Sequence, residues 1–396
     1  MGLFSLWANK DKTKNDSGIN ALTLSEVFSG DLSGPSALRN DVVLAIVNLI
    51  ANTGAMLPLK VLSEDSKGSL FNFKSADEAK ILTEKPNSYQ DPYTFKYFLF
   101  HCAVVYGESF IFKVKSGKNL LELRPISPEI VKIRFVNGIK LYDIYTLDEK
   151  KAPVLRGTFT NNEIVHILNY TEDGITAQSL LQKISLLIQA DNTLKRFTKK
   201  YFANGATPSM YVKVDGNKED MERAVQGFAK DFASADNAGK IPFVANGVTI
   251  TPLPVNAKDA MMIEALKYYV EAICRSLGVP PSQVFSKDGA SYNSMEMDNI
   301  QFFRSCIGPL VSKFESALDY GLFLGQKHYV KFDTDSLLRT TTLEKYNAYR
   351  LSLGGNAWRT VNEVRALDDL NPVEGGDVIM KMVNTQDINT TTQGVK

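Results

Sequence analysis

Residues 258–283, KDAMMIEALKYYVEAICRSLGVPPSQ, constrain the fold more than any other stretch of the chain. Met262, Ile263, Leu266, Tyr269, Val270, Ile273 and Leu277 recur at helical spacing. Glu264, Lys267, Glu271 and Arg275 form one polar stripe at steps of three and four, and i,i+4 pairing of Lys267–Glu271 and Glu271–Arg275 would add ~0.3 kcal/mol each. Gly278 ends the helix, because glycine takes the left-handed backbone that a C-terminal stop needs. Pro280 and Pro281 follow and have no N–H with which to resume it. A polar loop, SKDGASYNS at 286–294, leads to a second long helix predicted from near Met295. The pattern is a rod, a stiff stop, an exposed loop and another rod, with no catalytic constellation in it. The polar stripe fits two arrangements: the solvated face of an ordinary core helix, or the lining of a water-filled channel when the broad apolar face packs against neighbours.

The whole chain, 396 residues, is long enough for two or three domains at ~100–200 residues each. Its 44% hydrophobic and 22% charged residues are those of a globular protein. A formal net charge of +1 predicts no nucleic-acid or membrane partner from bulk charge, so any DNA contact must come from local charge placement or from assembly. No apolar run reaches ~18 residues, so no membrane-spanning helix is expected. The start, MGLFSLWANKDK, lacks the layout of a secretory signal, and Leu6 stands where a myristoylation signal needs Ser or Thr. Cys102, Cys274 and Cys306 are scattered through apolar stretches and read as three buried thiols.

Along the chain, residues 1–40 read as a polar arm. Residues 41–56 read as a helix capped by Asp41, and 57–62 as a strand. Helices are predicted over 76–84 and 93–105, and a strand over 109–115. A single meander is predicted through 120–147 with its hairpin at Asn137-Gly138, then a strand over 163–170. A long helix is expected over 177–204, closed by Gly205, with Lys195, Arg196, Lys199 and Lys200 complementing its C-terminal dipole. A small α/β insert follows. It has a strand at 209–214, a helix at 218–232 and a hairpin around Asn246-Gly247. Helix returns over 295–324 with a kink at Pro309, then a strand over 329–335. Helices over 343–355 and 360–370 come last, the second opened by a Thr360–Glu363 capping box. The fold class is therefore α+β.

Catalytic motifs are missing. There is no GxxxxGK[ST], HExxH or GxSxG, and NAGK at 237–240 and GGD at 375–377 read as turns. His166, inside the apolar IVHIL, reads as a satisfied core or interface histidine. Asp333 and Asp335 alternate along a predicted strand and share a face, as a divalent metal could use, although turn formation or capping explains them as well. No cofactor is implied.

Taken in order, several segments resemble the portal proteins of tailed double-stranded DNA bacteriophages. They are EKPNSYQDPYTF, FHCAVVYGESFIFKV, LELRPISPEIV, EIVHI, YFANGATPSMYV, NAGKIPFVANGVTI, AICRSLGVPPSQVF, FRSCIGPLVSKFESAL, YVKFDTDSLL and TVNEVRALDDLNPVEGGD. The resemblance spans about residues 40–378. It departs at YTEDGITAQSLL, where Thr176 and Ala177 interrupt a GxSPL-like run.

The resemblance implies a portal-type fold and a ring, typically of twelve copies, at one capsid vertex. It implies no catalytic residues, a location in the virion with assembly in the host cytoplasm, and no membrane. Its implied partners are double-stranded DNA passing through the channel, the terminase large subunit, a head–tail adaptor, and the major capsid protein or scaffold. On this analogy residues 1–40 are an arm, and 41–176 and 295–335 a mixed α/β wing. Residues 177–204 and 256–278 are two stem helices bracketing a clip at 205–255, whose Met221, Val225 and Phe228 could pack on a neighbour. Residues 279–294 are a tunnel loop, 336–372 a helical crown and 373–396 a tail. The implied DNA-facing residues are Ser286, Lys287, Tyr292 and Asn293 in the loop, and Lys258, Lys267, Glu271 and Arg275 on the stem. Gly278, Pro280 and Pro281 form the helix stop. Two other readings stay open: a metal-dependent DNA-processing enzyme using Asp333 and Asp335, and a head-completion adaptor ring.

Overall fold

The computed structural model describes residues 34–64, 70–72, 77–117, 119–148, 152–203, 210–214, 248–252, 258–284, 292–334, 342–354, 357–368 and 370–379. The chain divides into two compact units, residues 1–291 with 301–333, and residues 292–300 with 334–396.

The first unit opens with a helical turn, Gly34–Ala37, and helix α1, Asp41–Met56. The cap of α1 is Asn40 rather than Asp41. Its side-chain oxygen accepts from the N–H of Val42 at 3.0 Å and Val43 at 3.1 Å, and Asp41 is already inside the helix. Strands β1 (Leu59–Glu64) and β2 (Leu70–Asn72) follow, then helices α2 (Asp77–Thr83) and α3 (Pro92–Val105). Asp91 caps α3 by accepting from Thr94 N–H at 2.9 Å, and Pro92 opens it at a position where no N–H is needed. Helices α1 and α3 pack together, and Gly54 permits the approach: a Cβ there would fall 2.6 Å from the Phe100 ring.

Next come β3 (Glu108–Ser116) and β4 (Asn119–Ile126), then β5 (Val131–Val136), β6 (Ile139–Leu147), β7 (Pro153–Phe159) and β8 (Ile164–Leu168). They do not form one meander. β4-β3-β8 is one antiparallel sheet and β5-β6-β7 another, with the break at Ser127–Ile130, where a short 3₁₀ turn begins on Pro128. The turn between β5 and β6 is Asn137-Gly138, with φ of 52° and 79°, as the sequence predicts. Phe110, Phe112, Ile126, Tyr142, Ile144 and Ile164 join the two sheets in one apolar cluster.

Helix α4 runs Ser185–Ala203 and α5 runs Lys258–Ser276; β9 (Met210–Val214) and β10 (Val248–Pro252) lie between them in sequence and pair antiparallel. The helix predicted from residue 177 is shorter than expected. A single turn, Leu180–Lys183, precedes it and the chain breaks at Ile184. Of the predicted insert, the helix at 218–232 and the Asn246-Gly247 turn lie outside the described residues, as does Gly205.

Helix α6, Tyr292–Phe302, starts three residues before the predicted Met295. A π-helical turn, Phe303–Ile307, joins it to α7, Gly308–Leu322. The irregularity predicted at Pro309 is thus a wide turn just ahead of it: Gly308 N–H reaches back five residues to Phe303 O. α7 packs on β8 and on β11, His328–Phe332, which pairs with β1. Phe314 of α7 stacks on Phe100 with centroids 4.1 Å apart. The free edge of β11 is covered by α7: Asp319 accepts from Val330 N–H at 2.5 Å and Glu315 from Phe332 N–H at 2.8 Å. Lys113 of β3 is buried. Its Nζ donates to Gly321 O at 2.8 Å and Asn161 O at 3.0 Å, and burial pulls its pKa down to about 8.

The second unit holds α8 (Thr342–Leu353) and α9 (Val361–Leu367). The capping box forms as predicted, with Thr360 N–H to Glu363 Oε2 at 2.8 Å and Glu363 N–H to Thr360 Oγ1 at 3.2 Å. Lys345 pairs with Asp368.

Candidate functional site

The two longest described helices, α4 and α5, pack along each other. On α4, Ile188 and Asp191 are buried, Asp191 completely. The Asp191 carboxylate accepts from Asn40 Nδ2 at 2.6 Å and pairs with Lys195 at 2.8 Å; Lys195 also reaches Asp41, and Asn40 Nδ2 reaches Asn192 Oδ1 at 2.9 Å. One buried network therefore ties the N-terminus of α1 to α4. Its members are about 150 positions apart in sequence, so no local pattern could reveal it.

The stop of α5 is built as the sequence implies. Val279 N–H bonds to Cys274 O at 2.9 Å and Gly278 N–H to Arg275 O at 3.2 Å, the paired bonds of a Schellman motif, with Gly278 at φ 70°. Pro280 is buried, and Pro281 opens a 3₁₀ turn, Pro281–Gln283. The stop is also clamped from outside, which the sequence does not reveal. Ser305, in the π-helical turn, holds its Oγ 2.6 Å from Gly278 O and 2.7 Å from Gln301 O, so its proton serves these two carbonyls. A Cβ on Gly278 would stand 3.0 Å from Ser305 O. Ile273, Cys274, Leu277 and Val279 are buried around this joint.

The polar stripe of α5 is open. Glu264, Lys267, Glu271 and Arg275 are all exposed, and Tyr268 beside them is 57% exposed. The i,i+4 pairs expected along the stripe do not form: Lys267, Glu271 and Arg275 make no ion pair among the described residues. An exposed pair gains too little to hold two long side chains in one geometry. Lys258 is the first residue of α5. Tyr292 and Asn293, expected in the loop, are the first two residues of α6. Ser286 and Lys287 lie outside the described residues.

Elsewhere, His166 is buried in β8 with Nε2 2.8 Å from Glu108 Oε2 and its ring stacked on Phe110; burial lowers its pKa, and Nδ1 has no partner among the described residues. Cys102 and Cys274 are buried and free. Cys306, also free, is only partly buried, against the expectation of three buried thiols. β11 ends at Phe332, so Asp333 follows the strand rather than lying on it. Its carboxylate pairs with Lys60 at 2.7 Å, while Asp335 is outside the described residues. Among the described residues no cluster of three His, Cys, Asp or Glu side chains could hold a metal, and no helix is long and apolar enough to cross a membrane.

A family model described as phage portal protein matches residues 41–369. The portal protein of Enterobacteria phage HK97 is 25% identical over 368 residues, covering 88% of this chain and 84% of the relative. The probable portal protein of Streptomyces phage phiC31 is 24% identical, covering 88% and 78%. Among solved structures, a chain in the neck of an empty gene transfer agent particle superposes with a TM-score of 0.59 at 20% identity, covering 94% of this chain and all of that one. The crystal structure of an HK97-family phage portal protein from Corynebacterium diphtheriae gives 0.57 at 15% identity, covering 78% and 98%.

Proposed function

The chain belongs to the phage portal protein family, and on that premise we propose that it assembles into a ring, dodecameric in its usual form, at a unique capsid vertex. The ring is the conduit through which duplex DNA enters and leaves. Its outer end is the docking site for the terminase large subunit and the head–tail adaptor, and its rim meets the major capsid protein or scaffold. The protein is a structural component of the virion, assembled in the host cytoplasm, and the reading asks for no cofactor.

The observation that carries this reading is the division of α5. One face of its last turns, Ala272, Ile273 and Cys274, is anchored in the core, while Glu264, Lys267, Glu271 and Arg275 are presented to solvent. A helix of 19 residues extends about 28 Å, long enough to wall a channel. The stripe alternates in sign and the whole chain carries only +1. That balance suits a conduit: duplex DNA bears one charge per ~1.7 Å, and a basic wall would hold what must slide. In this reading Ser286, Lys287, Tyr292 and Asn293 narrow the channel, with Lys287 as a sparse ring of charge, and Lys258, Lys267, Glu271 and Arg275 line the stem. The segment at 205–255 is the clip and 336–372 the crown.

Native mass spectrometry with negative-stain imaging tests assembly: the expected result is a closed ring of about twelve copies. A compact dimer with Mn²⁺-dependent nuclease activity would instead support the enzyme reading. Lys287→Ala should leave the ring intact and change packaged DNA length or retention, and an unchanged genome length and yield would remove Lys287 from the channel.

A further inference from the structure

The buried network under α4 supports something above it. Ser36, Arg39, Asn192, Lys195, Arg196 and Lys199 line an open cleft of about 470 Å³ between the turn preceding α1 and the exposed side of α4. Two of the lining residues are fixed from beneath. Asn192 Oδ1 accepts from Asn40 Nδ2 at 2.9 Å, and Lys195 is held at 2.8 Å by the fully buried Asp191 and by Asp41. The other three cations have no acidic partner among the described residues: Arg39 and Lys199 make no ion pair, and Arg196 Nη2 donates to Thr193 Oγ1 at 3.3 Å. Four cations therefore face two carboxylates, both of which are paired with Lys195.

We propose that this cleft is a phosphate-binding site for the backbone of duplex DNA. Side chains that contact phosphate oxygens are Arg, Lys, Ser and Asn, and the lining contains nothing else. No aromatic or branched aliphatic side chain and no strand edge is among the lining residues to anchor a protein segment. The contrast with α5 is one of charge. The α5 stripe carries two acids and two bases, whereas the unpaired groups of the cleft are all basic. α5 therefore suits sliding and the cleft suits holding. The buried Asp191–Asn40 pair preorganises the cleft, so Asn192 and Lys195 are already ordered before the ligand arrives. The inference takes from the portal reading only the identity of the molecule that carries the phosphate.

The test titrates the full-length protein against a short fluorescent duplex over a range of NaCl concentrations, with Arg39→Gln/Arg196→Gln/Lys199→Gln as the variant. The expected result is binding weaker by roughly tenfold or more, with the slope of log K against log salt shallower by about 0.9 for each phosphate no longer neutralised. Arg39→Lys/Arg196→Lys keeps the charge and should keep most of the slope. Duplex affinity and slope equal to the parent's would overturn the proposal. So would loss of polyglutamate binding with duplex binding retained, which would make the ligand an acidic protein. Inorganic phosphate at matched ionic strength should displace the duplex no better than chloride, and stronger displacement would make free phosphate the ligand. Mass measurement on the same samples judges ring assembly separately, so failure of the portal reading and failure of the cleft are distinguishable.

Discussion

The two faces of α5 are built on opposite principles. On the inward face, and at the stop that follows it, the groups have partners: Ile273 and Cys274 are fully buried, the stop makes both Schellman bonds, and Ser305 holds the Gly278 carbonyl at 2.6 Å. On the other face Glu264, Lys267, Glu271 and Arg275 stand in solvent and form no ion pair among the described residues. The first face is explained by the folded chain alone. The second is an ordinary solvated face in the isolated chain and acquires a role only inside an assembly. Variants at the joint should therefore alter stability, and variants on the stripe should alter function without altering it.

Ile273→Ala should have the largest effect. A fully buried isoleucine cut to alanine loses its transfer energy and leaves a cavity, about 2–5 kcal/mol, seen as a lower denaturant midpoint in urea. Gly278→Val should cost about 1–3 kcal/mol for a β-branched residue at φ 70°, with more for the 3.0 Å approach to Ser305 O, and should also lower ring yield on size-exclusion chromatography. Normal assembly and an unchanged midpoint would mean that the chain does not need its stop. Ser305→Ala should cost about 0.5–1.5 kcal/mol, the worth of one hydrogen bond, and a larger loss would show that the π-helical turn itself depends on the hydroxyl. Lys267→Gln with Glu271→Gln should leave the midpoint within about 0.5 kcal/mol while changing the rate or extent of DNA packaging. A loss of stability comparable with that of Ile273→Ala would erase the contrast between the two faces.

Local patterns made most of the fold legible. The Gly278 stop, the Asn137-Gly138 hairpin and the Thr360–Glu363 box are each written within a few residues, and each forms as read. What failed depends on distant neighbours or on small energy differences. Whether β4 continues into β5 or pairs with β3 is decided by the sheet across the core, not by the alternation of residues 120–147. Asn40 takes the cap from Asp41 because its amide also reaches Asp191 and Asn192 across the fold. The π-helical turn has only Pro309 as its sequence trace, and a proline does not distinguish a kink from a widened turn. Lys195, Arg196 and Lys199 read as dipole complements in sequence. Only the folding of Arg39 onto α4 reveals a cleft.

Cryo-electron microscopy of the assembled protein should show a closed ring in which the α5 helices surround the central opening, with Lys267, Glu271 and Arg275 facing it and Ile273 and Cys274 turned into the subunit core. A ring in which the stripe is buried between subunits or faces outward, or a protein that stays monomeric under assembly conditions, would contradict it.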